Sequence, residues 1–127
     1  QAAKAGAIFY FAPEMALQLD SKRSRAAAHI VLESENPFVP RLCELALQHG
    51  IWLSFGLAAV SSAPGDERWV NRSLLISDRG VITARYDKMH LFDVDLSTGE
   101  AWHESKTYAP GPHPACHRYR FTLAPYH

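Results

Sequence analysis

The sequence predicts an α/β chain in which the strands of one sheet carry a helix on a face. Three features lead there. Ala7–Phe11 (AIFYF) and Ile51–Val60 (IWLSFGLAAV) are short apolar runs of strand type. Phe38–His49 lies between them, with Leu42, Leu45 and Ala46 at helical spacing. Ser73–Ser77 and Val81–Tyr86 flank the turn Asp78-Arg79-Gly80 and read as an antiparallel pair.

The chain opens with QAAKAG, which reads as the last turn of a helix that Gly6 stops. The rest of that helix is expected ahead of Gln1, so the chain is expected to be an internal piece of a longer domain. Ala7–Phe11 ends at Ala12-Pro13-Glu14, because Pro13 has no N–H to give to a sheet ladder. Glu14 thus falls just past the carboxyl end of a strand, where open α/β sheets hold their ligands. Taken alone, it is most simply a solvated loop carboxylate. Asp20–Ala28 is basic, then alanine-rich, and predicts a short helix with Lys22, Arg23 and Arg25 on a solvated face. Asn36-Pro37 starts the next helix, since Asn caps and Pro suits the first turn. Gly50 ends it. Cys43 lies within this helix with nothing nearby to lower its pKa, and reads as a structural thiol.

In Ile51–Val60, Gly56 marks a bulge or the close approach of another backbone. Ser61–Arg68 is loop-forming, rich in Ser, Pro and Gly, and Trp69–Arg72 leads into the strand pair. Leu74, Leu75 and Ile76 make the first of those strands apolar, and Gly80 accepts positive φ at the turn. Beyond Tyr86 the character changes. Asp87-Lys88-Met89-His90 begins a stretch without helical or strand period that runs to Gly111 and carries Lys88, His90, Glu100 and Glu104. An irregular loop of that length in a compact domain is usually functional or disordered.

Composition narrows the classes. The 127 residues, 47% hydrophobic and 20% charged, favour a single ordinary globular domain. Lys plus Arg equal Asp plus Glu, so neither nucleic acid nor an anionic membrane is expected as a partner. No apolar run is long enough to span a bilayer, and no secretory signal stands out. Cys43 and Cys116 make no disulfide framework, and a reducing, cytoplasmic setting is the expectation. Without a G-x-G-x-x-G or P-loop, a nucleotide-binding domain is not expected. Asp93, Asp95 and Glu100 do not follow the EF-hand order, so no metal site is expected.

The stretch RYDKMHLFDVDL, followed by GE, ES and YAPG, resembles the carbon–nitrogen hydrolase (nitrilase) superfamily. Its omega-amidase and deaminated-glutathione amidase branch is the most similar. That branch carries a lysine in Y-x-K-x-H-L-F-D-V/I-D and a glutamate shortly before Pro-Gly. The match covers about Ala2 to Gly111, with several motifs in order. The resemblance implies the first half of a nitrilase-type α-β-β-α sandwich, and a homo-oligomer at full length. It implies hydrolysis of non-peptide C–N bonds in a small-molecule amide of a carboxylic acid, without a cofactor. The catalytic set implied is Glu, Lys and Cys, with a second Glu assisting. These fall on Glu14, Lys88 and Glu104; the Cys belongs to a C-Y-D-x-R-F-P motif that the sequence does not reach. His90 becomes a structural hydrogen-bonding residue at the base of the loop.

The chemistry needs these residue types. Amide hydrolysis requires a nucleophile, a base to activate it and return a proton, and a positive group for the oxyanion. A lysine between two carboxylates stays protonated and supplies that fixed charge. In isolation, Lys88 would be read as an exposed lysine paired with Asp87, and Glu104 as a loop carboxylate.

The resemblance fails after Gly111. Residues 1–111 read as a partial carbon–nitrogen hydrolase domain and 112–127 (PHPACHRYRFTLAPYH follows Gly111) as a divergent tail. Cys116–Phe121 echoes C-Y-D-x-R-F, but it comes too soon and carries His117-Arg118 where the motif is acidic. Codons for Ala115–Tyr119, read one base later, can encode Val-Ile-Asp-Thr, which fits the strand expected there. The expectation is a frameshifted tail and a chain that is inactive as it stands. The alternative is a non-catalytic remnant or interaction piece.

Overall fold

The computed structural model describes residues 1–18, 20 and 22–112, with Arg23 by its backbone alone. The tail residues 113–127, Cys116 among them, lie outside the described residues.

Four strands form one sheet in the order β1 (Phe9–Phe11), β2 (Trp52–Val60), β3 (Trp69–Ile76), β4 (Ile82–Asp87). β1 pairs parallel with β2, while β2–β3 and β3–β4 are antiparallel. The parallel pair needs a long crossover, which includes α1 (Arg23–Ala27) and α2 (Phe38–His49).

α2 has the bounds that the sequence predicts. The Asn36 side chain accepts a hydrogen bond from the Phe38 N–H at 2.9 Å, and Pro37 already has helical φ of −70°. Gly50 ends the helix at φ 60° with its N–H on the Ala46 and Leu47 carbonyls. Val39, Leu42 and Ala46 face the sheet and pack with Leu53, Leu57, Val70, Leu74 and Ile76. Leu57, Leu74 and Ile76 are fully buried, each worth about 2 kcal/mol in removal from water.

The other face carries Phe9, Phe11, Trp52, Leu75, Ala84 and Tyr86, set there by the alternation of the paired strands. Phe11 is 74% exposed on it. Further along the same face, Ala58 packs with Ala26 and Ile30 of the crossover.

The edge of β2 explains where the chain goes after β1. The Ala12 N–H bonds the Ser54 carbonyl, and then Pro13 breaks the ladder. The chain bulges outward and returns at Leu17, whose N–H reaches the Gly56 carbonyl. Gln18 then stands in for a strand: its Oε1 accepts from the Ala58 N–H at 3.0 Å. Under the bulge lies Gly56. A methyl group there would sit 2.6 Å from Glu14 Cα and 2.7 Å from the Pro13 carbonyl. Pairing runs unbroken from Gly56 to Ser73, so close approach, and not a bulge, is the reason for this glycine. The register shift of the sheet falls at Leu75/Ile76 instead.

Two expectations need correction. Trp69–Arg72 is not a lead-in but the first half of β3, paired with Leu57–Val60. The stretch from Asp87 to Gly111 is also more ordered than its sequence pattern predicts. It contains a hairpin of β5 (Asp93–Asp95) and β6 (Ala101–His103), closed by Gly99 at φ 88°. Strands of three residues are too short to print a period of two.

Candidate active site

Glu14, Lys88 and Glu104 converge. Lys88 Nζ lies 3.0 Å from Glu104 Oε2 and 3.4 Å from Glu14 Oε2. Each arrives from a different element. Glu14 sits on the bulge after β1, and its neighbour Met15 holds φ 57°, a left-handed conformation unusual for a residue with a side chain. Lys88 is the first residue after β4, and its N–H continues the ladder onto the Asn71 carbonyl at 2.9 Å. Its own carbonyl accepts the Gly111 N–H at 3.0 Å. A side chain at Gly111 would overlap the Asp87 carbonyl, so the glycine of YAPG is fixed by backbone contact beside Lys88. Glu104 follows β6, and its Oε2 also accepts the Phe92 N–H at 2.8 Å.

Burial pulls the Lys88 ammonium toward deprotonation, but the Glu104 carboxylate bonded to it and the nearby Glu14 outweigh that and raise its pKa. Lys88 is therefore a fixed positive charge across the neutral range. Asp87 is not its partner. Asp87 takes both Nε and Nη2 of Arg72, at 2.6 and 2.8 Å, on the α2 face of the sheet.

The three groups line an open cavity of about 400 Å³ with Met15, Asn71, Phe92, Trp102 and Tyr108. Asn71 is the residue that sequence reasoning missed. It is 5% exposed and donates from Nδ2 to Glu14 Oε2 at 2.8 Å. An asparagine is unusual in a strand, but its place between Val70 and Arg72 in β3 gave no signal, because Trp69–Arg72 does not read as a strand in the sequence. His90, expected at the base of the loop as a hydrogen-bonding residue, is exposed and makes no hydrogen bond to another described residue. Asp93 accepts the Ser105 N–H at 3.0 Å and Asp95 pairs with His103 at 3.1 Å, so both serve the hairpin. Cys43 sits on α2, against the core on the far side of the sheet from Asn71, where burial and the Glu33 charge raise its thiol pKa.

A four-stranded sheet with one parallel edge, backed by a helix and closed by the β5–β6 hairpin, is a nitrilase-type α/β fold. The NitFhit protein of Caenorhabditis elegans shares it at a TM-score of 0.68 and 27% identity, over 87% of this chain and 27% of that one. An amidase from Nesterenkonia sp. AN1 shares the fold at a TM-score of 0.66 and 24% identity, over 89% of this chain and 40% of that one. Residues 1–121 match the carbon-nitrogen hydrolase family, and the chain belongs to it.

Among its relatives, the deaminated glutathione amidase of Yersinia enterocolitica is 33% identical over 102 residues, 80% of this chain and 35% of that protein. An omega-amidase of Saccharomyces cerevisiae is 38% identical over 48 residues, 38% of this chain and 16% of that protein. The chain spans about a third of the length of the first of these relatives and less of the second.

Proposed function

We propose that the protein carrying this chain hydrolyses the C–N bond of a small carboxylic-acid amide. The observation that supports this reading most is the placing of Lys88 between Glu14 and Glu104 in one open cavity. In this reading Glu14 is the general base, and later the acid that protonates the departing nitrogen. Lys88 stabilises the tetrahedral oxyanion. Glu104 holds Lys88 in place, because one of its oxygens bridges the ammonium and the Phe92 N–H. The nucleophile is a cysteine thiolate from outside the described residues. The names of two related amidases, a deaminated glutathione amidase and an omega-amidase, support a small amide of this kind as the substrate class.

Other parts of the proposal reach beyond the site. They are a carbon–nitrogen hydrolase unit over residues 1–111 with a divergent 112–127, a homo-oligomer, no nucleic-acid partner and a cytoplasmic setting. No helix among the described residues is long and apolar enough to cross a membrane.

The test is ammonia release from small ω-amides by the protein expressed from its complete reading frame. Glu14→Gln and Lys88→Met are each expected to lower kcat by about a thousandfold or more. Variants as active as the parent would overturn the reading. A Cys116→Ser protein locates the sulfur: loss of turnover in it would put the nucleophile in the tail.

A further inference from the structure

We propose that Asn71 is a positioning residue that gives the two oxygens of Glu14 different tasks. The inference rests on the amidase reading above. Asn71 reaches both members of the base–cation pair. Its main-chain carbonyl accepts the Lys88 N–H at 2.9 Å, and its side chain donates to Glu14 Oε2 at 2.8 Å. A strand residue thus sets the height of Lys88 with its backbone and the rotation of Glu14 with its amide. The amide orientation follows from chemistry, because a carboxylate only accepts and the Asn71 oxygen cannot face it.

Glu14 needs such a hold. Its side chain is 60% exposed, and the Lys88 contact alone is long at 3.4 Å. The Asn71 contact is shorter and comes from a buried residue of the central ladder. Both donors use Oε2. Oε1 has no hydrogen-bond partner among the described residues, and Glu14 lines the cavity. Oε1 is then the oxygen that takes the proton given up by the nucleophile and returns it to the departing nitrogen, so that Glu14 begins and ends the cycle as a carboxylate. Without Asn71, Glu14 can turn either oxygen to Lys88 or leave it for solvent, and the base loses its aim.

Two variants test this in the protein from its complete reading frame. Asn71→Ala removes the donor and is expected to lower kcat about 10- to 100-fold with KM within about threefold. Asn71→Asp keeps the shape but at neutral pH sets a second carboxylate against Glu14; once protonated, it donates again. Its activity relative to the parent is expected to recover as pH falls from about 8 to about 5. A crystal structure of Asn71→Asp at neutral pH should show Glu14 turned out of salt-bridge reach of Lys88, beyond about 4 Å.

Parent-like kcat in both variants, with a superimposable pH profile and an unmoved Glu14, would overturn the proposal. If Asn71→Ala does not fold, the near-isosteric Asn71→Asp decides. If the parent releases no ammonia from any amide, the amidase reading fails by itself, and the position of Glu14 in the Asn71→Asp crystal still decides for or against Asn71.

Discussion

One methyl group tests how Glu14 is placed. Gly56→Ala would drive a Cβ to 2.6 Å from Glu14 Cα and 2.8 Å from the Met15 N. The neighbours are backbone, so the bulge must move. The expected cost is about 1–3 kcal/mol of stability, with Glu14 displaced from Lys88 and activity lost beyond what the stability change accounts for. Thermal denaturation and a kcat measurement on the same sample check it; an unchanged protein would mean that the bulge is not seated on Gly56. At this scale the meeting of Glu14, Lys88 and Glu104 was legible through motif order, and the close approach at Gly56 through the absence of a side chain. Asn71 was not, because its task depends on a partner 57 positions away that no local pattern connects to it. His90 is exposed and has no hydrogen bond to another described residue, and its place in the motif could not foretell that.

Strands differ in how firmly they are held. β2 and β3 are the inner strands of the sheet, while β1 is a three-residue edge and β5–β6 a separate two-stranded sheet. Hydrogen exchange is expected to be slowest at Leu57 and Leu74, faster in β1, and fastest in β5–β6. Mass spectrometry of deuterated peptides reads this order directly, and a β1 more protected than β3 would contradict the sheet order. The long elements were legible because their apolar spacing repeats several times, as in α2. β5 and β6 were not, since a three-residue strand holds one alternation at most. Trp69–Arg72 was missed because Asn71 and Arg72 are polar residues in a strand, Asn71 bonded to Glu14 and Arg72 paired with Asp87 and Glu33.

Charge ties the molecule together across the α2 face. Glu33, from the crossover, accepts from Arg72 of β3 and Arg85 of β4, and Arg72 also holds Asp87. Burial works to raise the Glu33 pKa, but its hydrogen bonds to Arg85 and Arg72 outweigh that and lower it. Asp20, bonded to Arg25, is held down to about 2. Carboxyls depressed in the folded chain stabilise it above their unfolded values, and that stability is lost as pH falls through the folded ones. Stability is therefore expected to be level from about pH 7 to 5 and to fall below about pH 4. Glu33→Gln should cost about 3 kcal/mol at neutral pH, by leaving Arg72 and Arg85 short of a partner, and should flatten the acid limb. Urea titrations from pH 2 to 7, placed by the ordinary carboxylate range, measure both; an acid limb unchanged in Glu33→Gln would remove the network from the account. The zero net charge legible in the sequence gave no hint of this clustering, since composition does not say which charges meet.

The ion pair between Lys88 and Glu14 joins residues 74 positions apart, and this has a consequence at the ribosome. At about 5–20 residues per second, Lys88 is made roughly 4–15 seconds after Glu14. Through much of that interval β1 has no strand to pair with, and Phe9 has no Trp52 and Phe11 no Ser54 beside it. A nascent chain at this stage displays an apolar segment of the kind that chaperones hold. β2 must arrive before β1 has a place, β4 before Lys88 does, and Glu104 later still, so the Glu14–Lys88–Glu104 cluster is assembled only near the end of this stretch of translation.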